Sequence, residues 1–499
     1  MAHSEDWLAQ IPFENSYAQL PERFFERRRP DPVRNPSLIK VNSALACFLG
    51  LRPEDLASPS GVSVLAGSRL PETADPIAMA YAGHQFGGFV PQLGDGRAVL
   101  LGEVRGQDDR LYDVQLKGSG RTAFSRMGDG RAGIGPVLRE YIVSEAMFAL
   151  GVPTTRSLAA VRTGQTVLRE RPIPGAILTR VSRGHIRVGT FQYFAAQGDI
   201  EALQTLREYV VGRLYPDAID AENAAVALLE KVVERQAQLI SHWMLIGFIH
   251  GVMNTDNMSV AGETIDYGPC AFMEAYEPGK VYSSIDQMGR YAYGNQPAIG
   301  HWNLVQLAQS LLPLFDPDME RAVSIAQDVI DRYPDQFEDY LTRGLRKKLG
   351  LLEEEPGDRS LAQALLDEMA KHGADFTNTF RDLSLVGNAA DMARASTGSL
   401  FADPLAATEW LDRYRARLSQ EGTSHAERAN MLAQVNPVYI PRNHLIEEAI
   451  SAAEAGPDLR PFEKLVEVLA MPFEHRSGLE RYALPAKPEE QVLQTYCGT

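Results

Sequence analysis

The stretch "HGVMNTDNMSV", residues 250 to 260, carries the densest chemistry in the chain. A protein-kinase catalytic loop follows its His with an Asp base and, further on, a metal-binding Asn. His250 and Asn257 keep that spacing, but Val252 stands where the base would be. Asp256 instead sits directly before the Asn. Downstream, "IDYG" at 265–268 is built like D-F-G, whose Asp holds Mg²⁺ against phosphates. Asn257 and Asp266 would then supply two hard oxygen ligands, which suits Mg²⁺ because that ion keeps several waters and takes the rest from phosphate. Alone, "NTDN" is an ordinary Asx-type turn and "DYG" a hairpin end. In this order they point to a nucleotide site whose base has moved.

Lys117 ends the run "LYDVQLK", and Glu140 lies within "PVLREYIVSEAMFALG". A Lys on a strand paired with a Glu on the following helix is how kinases aim an ammonium at nucleotide phosphates. Two unrelated surface charges are the plain alternative. Gly94, Gly96, Asp129 and Gly130 lie in glycine-rich turns, where the backbone can approach a ligand closely. No G-x-x-x-x-G-K-[ST] occurs, so neither turn is a Walker A loop. Arg97, Arg180 and Arg187 are candidate forks for a polyphosphate. Any one of them, taken singly, reads more readily as half of a surface ion pair.

These residues need a frame. "AVLLGEV" and "LYDVQLKG", among the glycines of 81–135, read as antiparallel strands. "PVLREYIVSEAMFALG" reads as a helix, with Pro136 in its first turn and Gly151 at its stop. "SLAAVRTG", "TVLRER" and "GAILTRVS" are further strand-like pieces. Beyond residue 200 the period becomes helical: Val226, Leu229, Val233, Ala237, Ile240 and Met244 mark one buried face of a long helix that leads into His250. "MSVAGETIDYG" predicts a tight hairpin ending in Asp266. The fold class expected is α+β: a glycine-rich β lobe at 81–200, then a helical lobe at 201–435 carrying the catalytic and metal loop. Residues 1–80 and 436–499 read as extensions, the first packed on the core.

Composition narrows the function. A chain of 499 residues exceeds one ordinary core, so two or three packed units are expected. A net charge of -16 argues against nucleic acid as a partner. No apolar run long enough for a membrane helix is seen, and the first residues do not read as a signal peptide. Cys47, Cys270 and Cys497 are widely spaced and form neither a disulfide framework nor a zinc site. The cytoplasm is the expected compartment.

At this point the chain resembles the selenoprotein O family of pseudokinases. The resemblance covers nearly its whole length. It rests on "YAGHQFGGFVPQLGDGRA", "QLKGSGRTAFSRMGDGRA", "LREYIVSEAM", "LTRVSRGHIRVGTF", "HGVMNTDNMS", "IDYGPCAFM" and "GNQPAIGHWNL". It implies a protein-kinase-like bilobal fold that binds ATP in a flipped orientation and transfers AMP to protein hydroxyls of Ser, Thr or Tyr. By the same resemblance, Gly94, Gly96, Arg97, Lys117, Asp129, Gly130, Arg180, Arg187 and Asp266 would bind the nucleotide. Asp256 would accept the proton, Asn257 and Asp266 would hold Mg²⁺ or Mn²⁺, and Glu140 would hold Lys117. The partners implied are ATP and protein substrates, with self-modification open. The tail "TYCGT" resembles the cysteine form of a family C-terminus that carries selenocysteine in some members; a redox role for Cys497 and a lone flexible thiol both remain open. A γ-phosphate kinase and a catalytically silent ATP-binding scaffold are the competing functions.

Overall fold

The computed structural model describes residues 11–386, 394–403 and 405–496, so Cys497 lies outside the described residues. The architecture is α+β. Strands β1 (Phe25–Arg27), β2 (Ser37–Val41), β3 (Ile77–Met79), β6 (Ala98–Arg105), β7 (Leu111–Lys117), β9 (Arg156–Leu168) and β10 (Pro172–Ser182) form an antiparallel sheet. Its order is β1-β3-β6-β7-β10-β9-β2, and the two-residue β8 (Ala132–Gly133) pairs with β10 off this path. Two small hairpin-like pairs stand apart: β4 (Gly83–Gln85) with β5 (Gly88–Val90), and β11 (Phe248–Ile249) with β12 (Ala271–Phe272). Residues 25–79 thus contribute strands to the main sheet, not merely a cover for it.

Alternation along the central strands separates a packing face from a chemical one. Val114 and Leu116 of β7, Val99 and Leu101 of β6, and Ile177 and Val181 of β10 join one apolar cluster, closed by Leu45, Leu56, Val62 and Leu65 from the N-terminal helices. The residues between them point the other way: Gln115 and Lys117 on β7, Leu178 and Arg180 on β10. The register sets Lys117 opposite Leu178, and Gln115 opposite Arg180. Two cations on neighbouring strands therefore emerge side by side.

The helix Ile134–Ala149 starts directly from β8, with Gly133 as its N-cap. It crosses the chemical face with Val137, Leu138, Tyr141 and Ile142 buried. That packing brings Glu140 over the end of β7. The helices Asn443–Ala455 and Arg460–Leu469 pack on its far side. The C-terminal segment is therefore part of what holds Glu140 in place.

The helix Ala224–Ile246 begins at Asn223, whose side chain accepts from the N–H groups of Ala225 and Val226. It ends at Gly247, whose φ of +71° suits the left-handed stop. Leu229, Val233, Ala237 and Ile240 are buried as the period requires; Val226 and Met244 are only partly so. Each fully buried Leu or Val contributes about 1.5–3 kcal/mol, so this face anchors the chain that emerges as β11 and then His250.

Two local expectations need correction. The hairpin expected over 258–268 does not form. A turn at 259–262 is present, but Ser259 bridges to Arg187 and Thr264 to Thr154, so its arms pair with other segments and not with each other. "SLAAVRTG" and "TVLRER" are not separate strands either. They run as one long β9, which absorbs Gly164 (φ +67°) through an irregular register against β10.

Candidate active site

Every residue singled out for nucleotide or metal chemistry lines one cleft of about 550 Å³ between the sheet and the 252–269 segment. Among the described residues, seven basic and five acidic side chains line it, in a chain whose net charge is -16. A local excess of positive charge in an acidic protein is what an anionic ligand requires.

The centre of the cleft is Asp266. Lys117 Nζ donates to its Oδ1 at 2.8 Å and to Glu140 Oε2 at 2.7 Å. Arg180, fully buried, donates to the same Oδ1 at 2.6 Å and to Gln115 Oε1 at 2.6 Å. Arg187 donates to Asp266 Oδ2 at 2.7 Å and to the backbone carbonyl of Asp256 at 2.6 Å. Burial would raise the Asp266 carboxyl, but Lys117, Arg187 and Arg180 outweigh it and hold the group well below the usual carboxylate range. Asp266 is also one of four non-glycine residues with positive φ, at +62°, among the described residues. Such a backbone costs about 1–3 kcal/mol unless its surroundings enforce it. Three cationic donors on one carboxylate do so here.

The two acids of the cleft sit in opposite environments. Asp256 lies in the short turn Thr255–Asn257 and is 7% exposed. Its Oδ2 accepts only a long bond from Gln85 Nε2, at 3.4 Å, and its Oδ1 is buried without a hydrogen-bond partner. Burial pushes this carboxyl up to about 6, partly countered by Arg187. One acid is thus strongly ionised and the other poised near neutrality, an arrangement typical of a structural anion beside a proton acceptor.

Asn257 donates its amide nitrogen to Val252 O at 3.0 Å, which leaves its carbonyl oxygen to act as a ligand. Among the described residues, no group of three His, Cys, Asp or Glu side chains could cage a metal. The donor set is instead the Asn257 amide oxygen and the Asp266 carboxylate, with the orphaned Asp256 Oδ1 beside them. It fits a hard cation that completes its shell with water and phosphate.

His250, the other half of the kinase-like spacing, faces away from the chemistry. It is buried, its Nε2 lies 2.8 Å from Ile265 O, and its Nδ1 accepts from the Val252 N–H at 3.4 Å. It clamps the segment before Asp266 to the segment before Asp256.

The glycine turns form the opposite wall. Gly94 has φ +75°, and a Cβ there would run into the Phe124 ring, so only glycine lets the 92–97 turn pack under the 122–130 loop. Gly96 and Arg97 follow at the start of β6, where Arg97 O accepts from the Gly118 N–H at 2.7 Å. Asp129 and Gly130 stand at the mouth. Asp129 is paired by both arms of Arg169, at 3.0 and 3.1 Å, and this contact holds its carboxyl below the usual range.

The model of the protein adenylyltransferase SelO family matches residues 8–470. The chain belongs to that family. It is 58% identical over 491 residues to the protein nucleotidyltransferase YdiU of Bradyrhizobium diazoefficiens, covering 98% of this chain and 99% of that one. It is 58% identical to the YdiU protein of Bradyrhizobium sp. strain BTAi1, over 98% and 99% of the two chains. The YdiU protein of Rhizobium rhizogenes is 56% identical over 98% of this chain and 97% of its own.

In this SelO-family chain, further residues that the sequence reading gave no role stand in or behind the cleft. Tyr81 places its ring 4.5 Å from the Arg187 guanidinium. Gln85 is the side chain nearest to satisfying Asp256, Gln115 braces Arg180, and Arg169 braces Asp129. Gln115 alone had a signal: it shares the β7 face with Lys117 two residues on. The others reach the cleft through turns, where spacing says nothing about direction. No helix among the described residues is long and apolar enough to cross a membrane.

Proposed function

We propose that the cleft binds ATP with a divalent metal ion and transfers its AMP moiety to a Ser, Thr or Tyr hydroxyl of a protein. The observation that carries this reading is the split between the two acids. Asp266 is held ionised by Lys117, Arg180 and Arg187, while Asp256 is buried, incompletely bonded and pushed up to about 6.

In this reading, Asp256 takes the proton of the acceptor hydroxyl as its oxygen forms a bond to the α-phosphorus. The bond between that phosphorus and the bridging oxygen to the β-phosphate breaks, and pyrophosphate leaves. Lys117, Arg180 and Arg187 meet the charge that grows on the leaving group, and their donors are fixed in advance by Glu140, Gln115 and Tyr81. Asn257 and Asp266 would hold the metal, Mg²⁺ or Mn²⁺, whose part is to neutralise phosphate charge. Gly94, Gly96, Arg97, Asp129 and Gly130 form the nucleotide wall.

The strand Lys and helix Glu are arranged as in a protein kinase, with the sheet on one side of the cleft and the 252–269 segment on the other. This supports a kinase-like bilobal reading of the architecture. Two arginine forks and a lysine ammonium, positioned to meet a leaving pyrophosphate, favour ATP placed with its α-phosphate, and not its γ-phosphate, at Asp256: the flipped orientation. A cytoplasmic setting, where ATP and protein acceptors are both present, suits this reading.

Parallel incubations with α-labelled and γ-labelled ATP test it. Label in the α-phosphate should become protein-bound, and γ-label should leave as pyrophosphate. Protein-bound γ-label without α-label would make the chain a kinase, and no bound label of either kind would make it a scaffold.

A further inference from the structure

The rim of the cleft beside Asp256 carries large apolar side chains that the transfer chemistry does not use. The tip of the β4–β5 hairpin, Phe86 and Gly87, has φ of +52° and +87°. A phenylalanine in that region is rare and must be held there. The Phe86 N–H donates to Asn254 Oδ1 at 3.1 Å, and the same oxygen accepts the Tyr291 hydroxyl at 2.6 Å. The His84 N–H donates to Thr255 Oγ1 at 2.7 Å. The hairpin is thus fastened through β4 to the turn that carries Asp256.

What it presents outward is apolar. Phe86 and Phe89 are 39% and 41% exposed, and on the neighbouring loop Ile285 and Met288 are 52% and 93% exposed. The Phe86 ring lies 5.2 Å from Tyr291, and His84 packs edge-on against Trp302, so hairpin, loop and the Gln296–Leu311 helix form one surface. Phe86 and Ile285 line the same cleft as Asp256, which makes this surface continuous with the reaction site. Among the described residues no strand pairs with the outer edge of β5. An unpaired edge with apolar side chains beside it is a template for an extended chain.

We propose that this surface docks the acceptor protein through an extended segment whose hydroxyl residue is flanked by apolar side chains. The inference rests on Asp256 as the proton acceptor. In an extended segment alternate side chains point the same way, so a hydroxyl directed into the cleft sends the side chains two residues before and after it to the rim. There they meet Phe86, Phe89, Ile285 and Met288. Arg290, the basic side chain beside Gly87, is already engaged over the Trp302 ring at 4.9 Å, and Arg126 at the cleft mouth donates to Gln92 O. Recognition here is therefore by apolar contact and strand pairing more than by charge.

Two fluorescein-labelled synthetic peptides test this, each with a central Ser, one with Leu and Phe two residues before and after it and the other with Gln and Asn at the same places. Their binding to the full chain is read by anisotropy with a non-hydrolysable ATP analogue present, and their modification by mass with ATP. The apolar-flanked peptide should bind about tenfold more tightly, a difference of one decade in Kd. Phe89→Asp and, separately, Met288→Asp should erase that preference while ATP affinity stays within about twofold. Equal binding of the two peptides, or a preference that survives both substitutions, overturns the proposal. So does a wild-type dimer, seen by light scattering, that either substitution splits, because the patch is then an interface between two copies. Because the anisotropy readout needs no transfer, a failed docking surface is distinguishable from a failed adenylyl transfer.

Discussion

Lys117 and Asp266 stand 149 residues apart in the chain and 2.8 Å apart in the fold. Neither β7 nor the segment after Ile265 can make this contact alone. It depends on the Ala224–Ile246 helix delivering His250, and on His250 gripping Ile265 O at 2.8 Å. Lys117→Met should keep the fold, because Glu140 still has Arg180 at 3.4 Å as a partner. It should lower AMP transfer by about 10²–10³-fold, the scale of losing one preorganised donor to a developing negative charge. Transfer rates measured beside a thermal melt decide it. A melt that collapses together with the rate would make Lys117 a structural residue.

Asp266→Asn should behave differently, because it removes the carboxylate that all three cations share. Lys117, Arg180 and Arg187 would then face one another with Glu140 and Asp95 as remaining counter-charges. Breaking a buried pair by removing one partner costs about 3–5 kcal/mol, and with 19% of this side chain exposed the low end applies. We expect a clearly lowered melting temperature and no detectable transfer. ATP added without metal should raise the variant's melting temperature more than the wild type's, since a polyphosphate restores the missing negative charge. Equal melting of variant and wild type would show that the three cations do not depend on Asp266.

The site was more legible than the frame around it. That Lys117, Glu140, Asn257 and Asp266 share one cleft could be expected from residue type and order, because each belongs to a chemical pattern with a required spacing. The hairpin expected before Asp266 failed because Ser259 and Thr264 found better partners in Arg187 and Thr154, on segments distant in sequence. Gly164 looked like a strand break, yet β9 carries it at φ +67° with its hydrogen site packed against Asn35. The three strands supplied by residues 25–79 were hidden by their brevity, since three to five residues hold too few alternations to show a period. Gln85 and Tyr81 could not be assigned, because a side chain's direction out of a turn is set by packing and not by spacing.

Gly83 gives a test of positioning. A Cβ on this residue would fall 2.7 Å from Asp256 Oδ1 and 3.0 Å from Asp256 Cβ. Its own backbone has no positive φ, so Gly83→Ala is a contact effect and not a backbone one. Asp256 must swing away from the methyl group. Transfer should fall by about tenfold or more, in keeping with the large rate cost of a small misplacement. The melting temperature and ATP affinity should change little. Unchanged kcat in Gly83→Ala would show that the position of Asp256 is not critical.

Asp256 itself joins activity to stability with opposite signs. Burial moves its pKa from 3.8 to about 6, so the folded chain holds this proton more tightly than the unfolded chain does. Between these two values the unfolded state releases the proton while the folded state keeps it. Stability contributed by this group therefore falls as pH rises from about 4 to 6 and stays low above that. The difference, roughly two pKa units, amounts to about 3 kcal/mol. Asp256→Asn, which carries no charge, should be more stable than wild type by up to about 3 kcal/mol at pH 7 and close to it below pH 4. The same substitution should lower transfer by about 10²–10⁴-fold, the usual contribution of a positioned base. Wild-type transfer should rise with pH to half its maximum near pH 6 and level off above, whereas the residual activity of the Asn variant should show no such step. Denaturant unfolding at pH 4 and pH 7, with a pH–rate profile for both proteins, measures all three. A variant that is both less stable and normally active would reduce Asp256 to a turn residue.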